Sequence, residues 1–190
     1  MLAESVKKTY TFDEYEALER AEGVRYEFYD GEVVAMAGTT KRHNLIVNAL
    51  SRLLYSFARQ KGCQVYTENV RQQLRTGERY VYPDVIYTCD PTDLANDTDT
   101  IVKSPSLLIE VLSDSTETKD AHDKRLEYFK IPSLQYYIII SQRSPLVEVY
   151  ERAVDFWKYR VFEGPDAQFQ LELLEITLTL REIYEGIYQE

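Results

Sequence analysis

At 190 residues, with 44% hydrophobic and 13% aromatic content, the chain is long enough to bury a core without staples and too apolar for a disordered segment. No apolar run reaches the roughly 18 residues of a membrane span, and the opening MLAESVKKTYTF lacks the apolar core of a signal peptide, so a cytoplasmic protein with no membrane partner is expected. A net charge of −10 excludes a uniformly basic nucleic-acid footprint, because phosphate binding draws on Lys and Arg.

In chain order, Thr11 and Glu14 form a capping-box pattern before the stripe Phe12, Tyr15, Leu18, Ala21, which predicts a helix over 10–21. Arg25–Tyr29 and Glu32–Met36 read as two strands joined by Asp30-Gly31, a strong hairpin signal. Glu27 lies between Tyr26 and Phe28, so alternation turns it to the opposite face from both. Taken bare, it is a solvent-face charge. Thr40–Lys61 predicts the clearest helix, its buried stripe running through Ile46, Leu50, Leu54 and Ala58, with Gly62 as C-cap. His43 leans toward that stripe from the first turn, where a histidine is ordinarily a core or capping residue.

Residues 41–75 concentrate positive charge: Lys41, Arg42, Arg52, Arg59, Lys61, Arg71 and Arg75 stand against Glu68 alone. Arg52, Arg59 and Lys61 fall on the polar side of the helix, where they serve either as a solvated face or as contacts to a phosphate backbone. Gln64–Arg75 supplies one or two strands, and Tyr80–Thr88 another, with Pro83 at a strand start, edge or bulge because it has no N–H to donate. Cys63 and Cys89 lack metal-ligand spacing and read as reduced thiols. The stretch CDPTDLANDTDT reads as a solvated loop; it lacks the glycine and closing glutamate of an EF-hand.

The chain is organised around Ser106–Phe129. Leu107–Leu112 is an apolar strand with one carboxylate, Glu110, inside it, ended by the turn Ser113–Thr116. The segment after it repeats Asp120, Lys124 and Tyr128 every fourth residue, on one helical face. A buried Glu110 needs a cation, a metal or strong donors. It makes either an internal ion pair or, with Asp84 of the preceding strand, an oxygen site for a hard divalent cation. Beyond Ile131-Pro132, Gln135–Ser141 and Leu146–Arg152 are strands, and the strand–helix–strand order from Leu107 to Ile140 predicts a right-handed crossover in a mixed sheet. Phe156–Phe162 and Phe169–Glu175 are expected to pair around Gly164-Pro165-Asp166, and Leu180–Tyr188 closes as a short helix. No linker or repeat interrupts residues 1–190, which read as a single domain.

Pro83-Asp84 followed by Glu110-Val111-Leu112 resembles the signature of the PD-(D/E)xK nuclease superfamily. The chain resembles more closely the Uma-two family of restriction-endonuclease-like proteins, through RYEFYDGEVVAM at 25–36, His43 at a helix start, YPDVIY at 82–87 and LLIEVLSDST…DKRLEYFKIPSLQYYII at 107–139. That resemblance implies an α+β fold, a restriction-endonuclease-like core in which a central mixed β-sheet is flanked by helices. It implies a metal-dependent endonuclease acting on nucleic acid, DNA foremost, with Mg²⁺ (or Mn²⁺ in its place) held by Asp84 and Glu110. It also draws Glu27 to the metal and His43 to a water or substrate contact, and it allows a homodimer.

The lysine that the superfamily pattern puts two residues after the glutamate is Leu112 here. Phosphoryl transfer needs a cation near the developing charge. Lys124 can extend its flexible stem back to the carboxylates from the following helix, and the family resemblance also places a lysine there. The alternative for Lys124 is a surface pair with Asp120. At the level of function the rival is a catalytically inactive nuclease-fold protein that binds nucleic acid or a protein partner, favoured by Leu112 and by the acidic charge. Glycoside chemistry on two carboxylates is a third reading, with nothing beyond abundant tyrosine behind it.

Overall fold

In this computed structural model the described residues are 8–36, 38–75, 77–112 and 119–188, with backbone alone for 119–123. The turn at 113–116 and the side chains of Lys119 and Asp120 lie outside them.

Thr11 caps α1 (Phe12–Glu22) through the reciprocal box with Glu14. Behind it, β1 (Tyr26–Tyr29) and β2 (Glu32–Ala35) pair through a turn in which Asp30 and Gly31 have φ of 49° and 92°, the two positive values a type I′ hairpin requires. The first sheet adds β4 (Arg71–Arg75), β5 (Arg79–Val81) and β7 (Ile101–Val102), in the order β2-β1-β5-β4-β7. Tyr15 of α1 stacks on Phe28 with ring centroids 5.0 Å apart, joining helix to sheet.

The second sheet carries the organising strand. It comprises β3 (Gln64–Thr67), β6 (Val85–Thr88), β8 (Leu107–Leu112), β9 (Tyr136–Ser141), β10 (Leu146–Arg152) and β11 (Trp157–Glu163), in the order β11-β10-β9-β8-β6-β3. Within this sheet, among the described residues, only β8 and β9 run parallel, with α4 (Lys119–Tyr128) between them in the chain, so the sheet is mixed as the crossover predicts. Alternation along β8 divides the interior. Leu107, Ile109 and Val111 pack with Ile46, Leu50 and Leu54 of α2 (Lys41–Lys61), while Leu108 joins Tyr128, Ile131, Leu134 and Tyr137 on the other side. Each such fully buried side chain contributes about 1.5–3 kcal/mol. Glu110 shares its parity with Leu108, so the period of two turns this carboxylate toward α4.

Four expectations are corrected. Residues 80–88 are not one strand: Tyr82-Pro83-Asp84 carries the chain from β5 in the first sheet to β6 in the second, a passage that suits a residue with no N–H to donate. The acidic stretch after Cys89 is not only a solvated loop. It folds into α3 (Pro91–Leu94), and Asp93 accepts bonds from the Lys103 and Ser104 N–H groups and the Thr88 hydroxyl. The strand expected at 169–175 ends early. Phe169 and Leu171 of β12 (Gln168–Leu171) pair with Leu178 and Ile176 of β13 (Ile176–Thr179) across a 3-10 turn, so both alternating apolar pairs reach the α2 side as a separate hairpin before α5 (Leu180–Ile183). Cys63 and Cys89 are not free thiols but a disulfide. They lie just beyond the Gln64–Thr88 pair of β3 and β6, which brings their Cα atoms to 4.3 Å.

Candidate active site

The register of β6 on β8 pairs Val85 with Ile109, so the next position sets Asp84 opposite Glu110. Residues facing each other across an antiparallel ladder lie on the same side, where like charges repel. The pattern of the sequence therefore juxtaposes two carboxylates at one sheet position. Asp84 Oδ2 accepts the Val111 N–H at 2.7 Å, and Asp84 Oδ1 lies 3.0 Å from His43 Nε2. His43 is placed by the start of α2, where its own N–H donates to the Thr40 cap at 3.1 Å. Burial works against the imidazolium, but Asp84 outweighs it and holds the His43 pKa above its usual value.

From the other side, α4 supplies Lys124. Its Nζ is 2.9 Å from Glu110 Oε1 and 2.7 Å from Glu27 Oε1. Tyr128, one helical turn on, donates its hydroxyl to the same Glu110 oxygen at 2.6 Å. Tyr29, two residues beyond Glu27 on the same face of β1, donates to Glu27 Oε2 at 2.8 Å. Burial and the facing Asp84 push Glu110 up to about 7, against the pull of Lys124 and the Tyr128 hydrogen bond. Burial works against the Lys124 ammonium, but Glu110, Tyr128 and Glu27 outweigh it and hold its pKa well above the ordinary lysine value. Burial likewise raises the Tyr128 phenol, with Glu110 adding to it, so this hydroxyl keeps its proton.

The structure thus brings together Asp84, Glu110, Lys124, Glu27 and His43. Lys124 is 14% exposed at its side chain and turns its ammonium inward to Glu110 and Glu27; the side chain of Asp120, its partner in the surface-pair alternative, lies outside the described residues. Glu27 is not a solvent-face charge, being 8% exposed, and its nearest cation is Lys124. Arg52 and Arg59 lie apart from this group. They are nine and sixteen residues beyond His43 on α2, about 14 Å and 24 Å along the axis, and Arg52 pairs with Glu185 at 2.9 Å on the surface. Arg71 of the basic stretch is buried against Glu16 and Thr100. Sequence reasoning assigns no role to the Tyr128 and Tyr29 hydroxyls. Their signal is spacing alone, i+4 from Lys124 and i+2 from Glu27.

Among the described residues no three of His, Cys, Asp and Glu stand together as a metal-ligand set. The donors present still fit a hard cation that keeps most of its waters, since Asp84 and Glu110 are both carboxylates on one face and Mg²⁺ needs only one or two.

The mixed sheet and its flanking helices, with Glu110 on β8 and Asp84 just ahead of β6, define an α+β fold of the restriction-endonuclease-like class. The Uma2 family model, described as "Putative restriction endonuclease", matches residues 12–181, and the chain belongs to that family. Among relatives, "Uncharacterized protein slr1290" of Synechocystis is 30% identical over 176 residues, 92% of this chain and 91% of that protein. "Uncharacterized protein sll1609" of the same organism is 30% identical over 177 residues, covering 93% and 100%. The fold is similar to that of a crystal structure described as "a putative nuclease belonging to DUF820 from Anabaena variabilis", with TM-score 0.74 and 19% identity over 92% of this chain and 97% of that one.

Proposed function

We propose that this chain is a metal-dependent nuclease that hydrolyses phosphodiester bonds of nucleic acid, DNA foremost. The observation that carries the reading is the Lys124 ammonium held 2.9 Å from Glu110 on the face where Asp84 stands opposite Glu110. That arrangement supplies the carboxylate pair and the cation of the nuclease pattern, the cation arriving from α4 rather than from position 112. The description of the family as "Putative restriction endonuclease", and of the Anabaena neighbour as "a putative nuclease", supports the same chemistry.

Asp84 and Glu110 would hold Mg²⁺, with Mn²⁺ as a substitute and Glu27 in support. A bound Mg²⁺ polarises the phosphoryl oxygen and lowers the pKa of the attacking water. Lys124 stabilises charge developing on the phosphoryl group or orients the water. His43 fixes the Asp84 carboxylate through Oδ1, and the family resemblance would add a contact to water or substrate. Arg52 and Arg59 offer phosphate contacts along α2. The test is cleavage of plasmid and single-stranded DNA with Mg²⁺ or Mn²⁺. Metal-dependent cleavage is expected, and full activity in excess chelator rejects the proposal.

A catalytically silent nuclease-fold binder is the second reading, favoured by Leu112 in place of the strand lysine. It expects nucleic-acid binding without divalent-ion binding in calorimetry.

A further inference from the structure

We propose that Tyr128 is a positioning residue of this site, one that fixes which oxygen of Glu110 is offered to the metal. The inference rests on the metal-dependent nuclease reading and goes beyond it. Lys124 and Tyr128 are four residues apart on α4, so they project from one face of the helix. Both reach the same atom: Lys124 Nζ at 2.9 Å and the Tyr128 hydroxyl at 2.6 Å from Glu110 Oε1. A carboxylate held by one donor can turn about its terminal torsion, which is broad and soft. Two donors converging on Oε1 from fixed points set its plane, and Oε2 would then be the oxygen available to a cation that Asp84 would help to hold.

The fixed points are rigid. The Tyr128 side chain is fully buried, and its ring meets Tyr137 edge-on with centroids 5.2 Å apart. The chain just past α4 is clamped by Arg152, which donates to the Phe129, Ile131 and Leu134 carbonyls. Arg79 bonds both Asp30 in the β1–β2 turn and Glu127 on α4, which ties the hairpin carrying Glu27 to the helix carrying Lys124. Tyr128 thus presents a hydroxyl of set position to a metal-binding carboxylate, the arrangement by which outer partners orient ligands.

The experiment is Tyr128→Phe, which keeps the ring and removes only the hydroxyl, with Tyr87→Phe as control. Tyr87 is also fully buried and carries its hydroxyl without a partner among the described residues. Mn²⁺ affinity by calorimetry is the readout, with melting temperature alongside. Tyr128→Phe should bind Mn²⁺ at least about tenfold more weakly, with the fold retained and a melting temperature lowered by only a few degrees, while Tyr87→Phe binds as wild type. Unchanged Mn²⁺ affinity in Tyr128→Phe overturns the assignment and leaves the nuclease reading standing. Loss of the fold in Tyr128→Phe also overturns it, by placing the hydroxyl in stability. Absence of Mn²⁺ binding in the wild-type protein removes the metal-dependent reading itself, and this inference with it.

Discussion

The ammonium of Lys124 lies 2.9 Å from Oε1 of Glu110, and this contact is made from the helix that follows the glutamate's strand. A helical lysine reaches a site by its long stem, so its cation can occupy the space that a strand lysine two residues after Glu110 would fill.

Lys124→Ala should lower the cleavage rate at saturating Mg²⁺ by at least about a hundredfold, the scale of losing one electrostatic stabiliser. It should also lower the melting temperature, because Glu27 and Glu110 lose their shared buried cation. Mn²⁺ affinity measured above neutral pH should stay near wild type. Wild-type turnover in this variant would exclude a catalytic role for Lys124.

Asp84 and Glu110 should separate in their effects on stability. Asp84→Asn removes one of two like charges set opposite each other and can still accept the Val111 N–H. It should abolish Mn²⁺ binding and cleavage while the metal-free melting temperature stays level or rises. Glu110→Ala should abolish the same functions but lower the melting temperature, since Lys124 and Tyr128 lose their common acceptor. Calorimetry and thermal melts on both variants check this, and a large stability loss in Asp84→Asn would mark Asp84 as a structural partner of His43.

Much of this site is legible in the sequence because its parts follow short-range rules. Alternation sets the parity of Glu110, the i+4 spacing sets Lys124 and Tyr128 on one face, and Asp30-Gly31 fixes the hairpin that brings Glu27 round. What periodicity cannot carry is pairing at a distance. The Cys63–Cys89 bond depends on the register of β3 with β6, and nothing local to either cysteine encodes it. The break at Pro83 moves the chain between sheets, yet its flanks Tyr80–Tyr82 and Val85–Tyr87 are equally β-forming. The last strands escape the pattern for the same reason: Phe169 and Leu171 alternate as well against β11 as against β13, and the choice is made by the apolar surface of α2. Lys124 emerges by elimination and by resemblance, whereas Glu27 on its own strand looks like any solvent-facing glutamate.

The pH dependence follows from Glu110. Its folded-state pKa, about 7, lies above the usual carboxyl value of 4.5 because burial and Asp84 favour the neutral form. The folded protein therefore holds this proton more tightly than the unfolded chain. The stability contributed by this group is full below the unfolded value and is lost as pH rises through about 7. Metal binding runs the other way, since it needs the carboxylate. Mn²⁺ affinity should climb by about tenfold per pH unit up to neutrality and level off above it. A flat calorimetric profile across that range would contradict the assignment of Glu110 as a ligand.

The disulfide makes a separate prediction. It closes a loop of sequence separation 26 across the ends of β3 and β6, and a loop of that size stabilises by about 3.5 kcal/mol in the chain-entropy account. Cys63→Ser should lower the unfolding free energy of the oxidised protein by about that amount, and reductant should lower the wild type toward the variant. Denaturant melts with and without reductant measure both. Identical melts for oxidised wild type and Cys63→Ser would show that the bond does not form in solution.

The remaining question is whether α2 tracks a phosphate backbone. Arg52 and Glu185 form an exposed pair with side chains 64% and 69% accessible, and such pairs are worth at most about 1 kcal/mol, so a phosphate can displace the glutamate. Arg59, two turns further along, projects from the same exposed side of the helix toward solvent. If the strand leaving the Asp84–Glu110 face runs along α2, each arginine neutralises one phosphate and releases its counterions. Arg59→Glu should then weaken DNA binding at low salt and reduce the slope of log affinity against log salt by about 0.9 for duplex DNA, and Arg52→Glu should do the same. Binding titrations at several salt concentrations give the slope directly. Because neither residue touches the carboxylates, Mn²⁺ affinity should be unaffected in both variants. Wild-type slopes would confine nucleic-acid contact to surfaces other than α2, leaving its arginines as a solvated helix face.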